Sequence, residues 1–134
     1  MSTGDREVGN CDDGFWRDIK VVKDHAYIGA EIENSGIQIF DLTRLDSLLR
    51  PSVPLIRGEV TRLEADAFIE SIGASHNIIE FPELDQLLVV GFGDETSACS
   101  VEDGETVVVL DISLDPLNPA IECLDLDALN AEDE

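Results

Sequence analysis

Two short stretches, WRDIKV at residues 16–21 and ASHNIIE at residues 74–80, have the same arrangement of side chains. In each, a polar pair stands directly before an apolar run that is typical of a buried strand. The pairs are Arg17–Asp18 and His76–Asn77. We interpret the two stretches as one structural position that occurs twice in the chain.

The segments around these two positions also occur twice. Candidate strands separated by turn residues fall at Ile19–Val22, Ala26–Ala30 and Ile37–Leu42, and again at Ile78–Phe81, Leu87–Gly91 and Thr106–Ile112. A fourth strand is expected near Leu55–Val60 in the first unit and near Ala120–Leu124 in the second. Antiparallel four-stranded units that repeat along a chain are typical of β-propeller blades. The sequence therefore predicts an all-β fold of about two blades, an incomplete propeller.

The alignment of the two units predicts which residues correspond and where each unit ends. It matches three pairs: Asp18 with Asn77, Gly29 with Gly91, and Asp41 with Asp111. Asp41 and Asp111 each stand two residues before a Thr or Ser, a pattern that predicts capping of the following turn. The predicted organisation is a flexible acidic N-terminus at residues 1–14, blades at about 15–60 and 75–124, a linking loop at 61–74, and an acidic tail at 125–134.

The charge of the chain limits its partners. Eight basic residues against thirty acidic ones give a formal net charge of −22 at pH 7. The negative electrostatic field of such a chain repels phosphate backbones and anionic lipids. The charge therefore argues against nucleic acid and membrane surfaces as partners and favours cations or a basic protein. No stretch approaches the roughly 18 apolar residues of a membrane helix, and the N-terminus lacks the pattern of a signal peptide. If the chain is complete, we therefore expect it to be cytoplasmic.

The three cysteines, Cys11, Cys99 and Cys123, follow neither CxxC nor zinc-ligand spacing. Three interpretations stay open at this point: small idle thiols, a disulfide bond between Cys99 and Cys123, or a redox pair. The disulfide is a candidate because each of its two cysteines adjoins a strand of the second unit.

Three strings in a fixed order resemble the choice-of-anchor B proteins, which are built of LVIVD-type repeats. The strings are WRDIKVVKDHAYIGAEIENSGIQIFDLTRL, ADAFIESIGASHNI and VVVLDISLDPLNP, and the resemblance covers about residues 15–124. It implies β-propeller blades displayed on or beyond the cell surface, with cysteines at the positions of Cys99 and Cys123. The acidic SVEDGE departs from the glycine-rich segment of that family, and its members are several times longer. A fragment, a ring completed by several copies, or an open sandwich of two blades would each account for the length.

In a propeller the two polar pairs would meet near one mouth of the central channel. Arg17, Asp18, His76 and Asn77 are therefore candidate ligand-binding residues, or they form hydrogen bonds between blades. We predict a non-enzymatic binding or structural module for a protein or cell-surface ligand, with self-association through open blade edges as a further expectation. The alternative is a metal-dependent enzyme or ligand-binding propeller that uses His76 and Asp18. No catalytic residue is assigned, because Ser75 and His76 are strand neighbours that point to opposite faces.

An acidic loop offers the remaining candidate chemistry. It contains Asp94, Glu95, Glu102, Asp103 and Glu105, which are oxygen ligands of the kind that calcium prefers. Their spacing does not follow an EF-hand, and Asp103–Gly104 is a common turn dipeptide. A solvated loop is the more economical interpretation, so the sequence predicts no cofactor.

Overall fold

The computed structural model describes residues 17–32, 35–45, 64–92, 99 and 105–124. Within these residues the chain forms two four-stranded antiparallel sheets, which confirms the all-β prediction. The strands are β1 (Arg17–Val22), β2 (His25–Ala30), β3 (Ile37–Asp41), β4 (Ala67–Ile69), β5 (Asn77–Phe81), β6 (Gln86–Phe92), β7 (Glu105–Asp111) and β8 (Ala120–Cys123). The first sheet has the order β1-β2-β3-β4 and the second the order β5-β6-β7-β8.

The turns explain how each sheet begins. Lys23 and Asp24 join β1 to β2 with φ angles of 46° and 61°, so Val22 lies directly opposite His25. Two successive positive φ angles define a type I′ turn, whose twist matches that of the strands it joins. In the second sheet, Pro82–Leu84 forms a short 3₁₀ turn between β5 and β6, and Asp85 ends it in the left-handed conformation.

The fourth strand of the first sheet, Ala67–Ile69, lies inside the segment 61–74 that the sequence predicted to be a loop. The loop prediction is wrong for these three residues. The surrounding string RLEADAFIESIG has partly helical spacing, and three residues are too few to establish a strand period. The predicted strand at Leu55–Val60 lies outside the described residues, whereas the predicted fourth strand of the second unit agrees with β8.

Asp66 holds β4 in place. Its backbone N–H donates a hydrogen bond of 2.8 Å to the carbonyl of Ile39. Its carboxylate accepts the N–H of Asp41 at 2.6 Å and pairs with the guanidinium of Arg44 at 2.7 Å. These contacts reach across the chain to β3 and the turn after it, which is why local sequence periodicity does not reveal them.

The two sheets pack face to face around one core. Alternate residues of each sheet point inward, and the core contains Val22, Tyr27, Ile37, Ile39, Ile72, Ile78, Leu87, Val89, Cys99, Val108, Leu110 and Ile112. Tyr27 is fully buried, and its hydroxyl donates to the carbonyl of Pro116, 3.1 Å away. Burial, aided by the charge of Asp115, raises the pKa of Tyr27 to about 12, so the hydroxyl stays a donor.

The linker at residues 73–76 connects the two sheets at one end. Three backbone hydrogen bonds hold it: Gly36 N–H to the Gly73 carbonyl at 2.9 Å, Ser75 N–H to the Ala30 carbonyl at 2.9 Å, and His76 N–H to the Val90 carbonyl at 2.8 Å. The first two bonds fasten the linker to the first sheet and the third fastens it to the second. It is therefore a backbone bridge between the sheets.

Gly29 and Gly91 both lie against this linker, but they do not correspond to each other. The register places Gly29 opposite Asp18, whereas Val90 lies opposite Asn77. The predicted match of the two glycines is thus wrong by one residue. Each is glycine for its own steric reason, since the linker approaches the backbone of both strands too closely for a Cβ atom.

Candidate functional site

The two polar pairs occupy corresponding positions in the structure. The turn after β1 is flanked by the paired residues Val22 and His25, and the turn after β5 by Phe81 and Gln86. Asp18 lies four residues before Val22, and Asn77 lies four residues before Phe81. The match of Asp18 with Asn77 is therefore confirmed. The two strands that carry them, β1 and β5, lie in contact with each other where the sheets meet.

Asp18 connects the two sheets through its carboxylate. One oxygen accepts the backbone N–H of Ile78 in β5 at 2.8 Å, and the other accepts Lys20 Nζ at 2.8 Å. The Asp18 side chain is only 16% exposed. Burial by itself raises the pKa of Asp18, but the Ile78 N–H and the Lys20 ammonium outweigh it, so the pKa lies below its ordinary value. The carboxylate is thus ionised and committed to the sheet contact.

His76 makes a second connection between the sheets. Its Nδ1 contacts a carboxylate oxygen of Glu31, the residue that directly follows β2. Both side chains are partly exposed at the rim of the contact. Sequence reasoning missed Glu31, because nothing in its local pattern distinguishes it from the other acidic residues.

Arg17 and Asn77 complete the predicted set. Arg17 is the first residue of β1 and is exposed, while Asn77 is the first residue of β5 and is partly buried. The structure thus brings the four predicted residues to one end of the sheets. The contacts it describes, however, run from Asp18 to Ile78 and from His76 to Glu31.

Asp41 and Asp111 cap the turns that follow β3 and β7, as predicted. Each carboxylate accepts the backbone N–H and the hydroxyl of the residue two positions on. For Asp41 and Thr43 the distances are 3.0 and 2.6 Å, and for Asp111 and Ser113 they are 2.9 and 2.6 Å. These hydrogen bonds, first from the hydroxyl and then from the N–H, lower the pKa of both aspartates.

The remaining candidate chemistry is sparse. Within the described ranges, no cluster of three or more His, Cys, Asp or Glu residues could hold a metal ion. Of the acidic loop that was considered as a calcium site, only Glu105 belongs to those ranges, as the first residue of β7. Cys99 and Cys123 form a disulfide bond with their Cα atoms 5.5 Å apart. In the part of the chain that the structure describes, no helix has the length and apolar content to cross a membrane.

Comparison of the chain with protein-family models, with curated proteins and with solved structures gives no match in any of the three.

Replacing Asp18 by asparagine is expected to lower the free energy of unfolding by about 1 kcal/mol at neutral pH, because a charged acceptor becomes a neutral one. The folded-state pKa lies below the ordinary value of 3.8. The contribution of the charge is therefore complete above that value and is lost as the pH falls through the folded-state pKa. The stability difference between wild type and Asp18→Asn, measured by urea denaturation, should therefore be largest at neutral pH and shrink as the pH falls below about 4.

Glu83→Gln is the control for this measurement, since it removes one negative charge from an exposed turn. We expect it to change stability at neutral pH by less than about 0.5 kcal/mol. A difference for Asp18→Asn that stayed constant across the same pH range would show that the Asp18 charge does not stabilise the sheet contact.

Proposed function

We propose that the chain is a non-enzymatic binding or structural module made of two β-propeller-type blades, which acts at the cell surface or outside the cell. The observation that carries the proposal is the correspondence of the two sheets. Both have four antiparallel strands in sequence order, and their first strands lie side by side. Adjacent blades of a propeller have this relation, with the first strand of each nearest the common axis.

The hydrogen bonds of the polar pairs support a structural role for them. Asp18 and His76 each use a side-chain atom to join the first sheet to the second. A catalytic site needs a nucleophile or an acid–base pair that faces a substrate. A carboxylate that already accepts hydrogen bonds from backbone and side-chain donors is better suited to joining two blades than to catalysing a reaction.

The disulfide bond supports the proposed location. Disulfides persist in secreted and cell-surface proteins and are rare in reducing compartments. The Cys99–Cys123 bond ties the segment before β7 to the edge strand β8. A net charge of −22 further favours a basic protein or another cationic ligand over nucleic acid or anionic lipid.

The contact between His76 and Glu31 favours one alternative, a propeller that binds a metal or a small ligand at this rim. A histidine held by a carboxylate is a common arrangement among metal ligands. Both side chains are partly exposed, so a ligand could reach them. In this alternative the removal of His76 abolishes metal or ligand binding, whereas in the structural role it lowers the stability of the fold.

The experiment compares His76→Ala with His25→Ala in protein equilibrated with zinc, manganese or calcium. We expect no stoichiometric metal by elemental analysis in either variant or in wild type. His76→Ala should lower the free energy of unfolding by about 1 kcal/mol, because it breaks a contact between the sheets. His25→Ala is the matched control, since His25 contacts only the carbonyl of Lys23 in its own turn among the described hydrogen bonds. One metal per chain that is lost in His76→Ala alone would overturn the proposal in favour of the alternative.

A further inference from the structure

Each sheet has an outer face that points away from the shared core, and both outer faces are apolar. The outer face of the first sheet presents Ile19, Val21, Ile28 and Phe40. The outer face of the second sheet presents Ile79, Phe81, Leu88, Val90, Val107 and Val109. The most exposed of these side chains are Ile19 and Val21, at 55% and 58%, and Ile79 and Phe81, at 43% each. Contiguous apolar surface of this kind marks an interaction site.

The outer face of the first sheet is also concave. A groove of about 180 Å³ is lined on the strands by Ile19, Ala26, Ile28, Phe40 and Asp41, and on the following turn by Leu42, Arg44 and Leu45. A concave apolar surface needs a convex apolar partner to fill it. The outer face of the second sheet, with the large side chains of Ile79, Phe81 and Leu88, has that chemistry.

The register shows which face of one sheet corresponds to which face of the other. Inner residues of the first sheet correspond to outer residues of the second, in the pairs Val22–Phe81, Tyr27–Leu88 and Ile39–Val109. Outer residues of the first sheet correspond to inner residues of the second, in the pairs Ile19–Ile78, Ile28–Val89 and Phe40–Leu110. The contact inside the chain thus joins two faces that do not correspond to each other. The two outer faces are likewise a non-corresponding pair, so they can pack on each other in the same way.

We infer that the outer face of the first sheet packs on the outer face of the second sheet of another copy of this chain, in the manner of the contact between the two sheets within one copy. The inference shares with the proposed function the correspondence of the two sheets, but it does not require the proposed binding role or location. Asn77 corresponds to Asp18, so its side-chain oxygen would accept the N–H of Ile19 from the second copy, as Asp18 accepts that of Ile78. Because the two faces differ, the contact is head-to-tail and produces a closed ring or an open filament.

The charge of the chain sets the conditions for this association. Copies that each carry a formal charge of −22 repel one another at long range. The apolar contact is short-range and does not weaken when salt is added, whereas the repulsion is screened. Self-association should therefore strengthen as the salt concentration rises, which is opposite to the behaviour of a complex held by ion pairs.

The test uses sedimentation equilibrium of the full chain at low and at high salt. Wild type should form assemblies that grow with concentration. Ile19→Glu and Phe81→Glu should each raise the dissociation constant at least about a hundredfold, because each places a charge on an apolar face that the contact buries. An equimolar mixture of the two variants should form a one-to-one dimer, since Ile19→Glu retains an intact second-sheet face and Phe81→Glu an intact first-sheet face.

Circular dichroism and thermal melting check that both variants fold. Leu114→Glu is the matched control, because Leu114 is 97% exposed and lies on the turn after β7, outside the strands that form the two outer faces. It should associate like wild type. Three results would each overturn the inference: a wild-type chain that stays monomeric at every salt and protein concentration, association that survives either single substitution, or a mixture of folded variants that remains monomeric. If a different protein covers these faces, the wild-type chain should stay monomeric at every salt and protein concentration.

Discussion

Replacing Gly91 by alanine is expected to lower the free energy of unfolding by about 3 kcal/mol. A Cβ atom on Gly91 would lie 2.2 Å from the carbonyl oxygen of Ala74 and 2.8 Å from the Cα of Ser75. Both are backbone atoms of the linker at residues 73–76, which backbone hydrogen bonds fasten to the two sheets. The linker cannot move away without weakening those bonds, so the clash cannot be relieved cheaply. Equilibrium urea denaturation measures the loss.

Gly29→Ala is the matched comparison, because the obstacle there is a side chain. Its Cβ would lie 2.0 Å from Ser75 Oγ, a buried hydroxyl that has no hydrogen-bond partner in the described part of the chain. Ser75→Ala removes that oxygen and should itself cost less than about 0.5 kcal/mol, since no hydrogen bond is lost. The double variant Gly29→Ala/Ser75→Ala should recover most of the loss of Gly29→Ala.

Ser75→Ala should not rescue Gly91→Ala, because the carbonyl of Ala74 and the Cα of Ser75 remain in place. Equal rescue of both glycine variants would contradict a linker fixed by its backbone. A cost of less than about 1 kcal/mol for Gly91→Ala would contradict it as well, because the linker would then yield to a single methyl group.

The parts of the fold that local chemistry determines could be predicted from the sequence. Asp41 and Asp111 are examples, because an aspartate followed two residues later by Thr or Ser finds both of its hydrogen-bond donors within its own turn. The strands with clear apolar periods, such as β2 and β7, were also predictable to within a residue or two. In each case the residues that decide the structure are neighbours in the chain.

The parts that depend on distant contacts could not be predicted. Strand β4 owes its position to Asp66, whose partners Ile39 and Arg44 lie more than 20 residues away. Glu31 joins the candidate site only because the end of β2 and the start of β5 meet in space. Gly29 and Gly91 were matched wrongly for a related reason. The alignment paired identical residue types, whereas the true register depends on the lengths of the turns between β1 and β2 and between β5 and β6.

The positions of the aspartates in the structure show that part of the acidic composition has a structural role. Asp18, Asp41, Asp66 and Asp111 each accept at least one backbone N–H, so part of the negative charge stabilises turns and the sheet contact. For Asp18, Asp41 and Asp111 these hydrogen bonds lower the pKa, so the folded state favours ionisation. A count of acidic residues alone cannot separate these carboxylates from those that act only through the overall field.

Removing the disulfide bond is expected to lower the free energy of unfolding by about 3 kcal/mol. Cys99 and Cys123 are 24 residues apart, and the closure of a loop of that length in the unfolded chain accounts for a loss of this size. The bond also holds β8, whose four residues are all exposed and which pairs only with β7 in the described sheet. Without it, we expect the amides of Ala120–Cys123 to exchange with solvent faster than those of β6 and β7.

The measurement compares Cys99→Ser/Cys123→Ser with its parent, both carrying Cys11→Ser so that no third thiol can exchange with the bond. Urea denaturation of the parent should respond to reductant and that of the double variant should not. Hydrogen exchange then locates the effect on β8, because the strands buried in the sheet contact keep their own hydrogen bonds and core packing. A parent whose stability is unaffected by reductant, although its two thiols become titratable, would show that β8 is held by strand pairing alone.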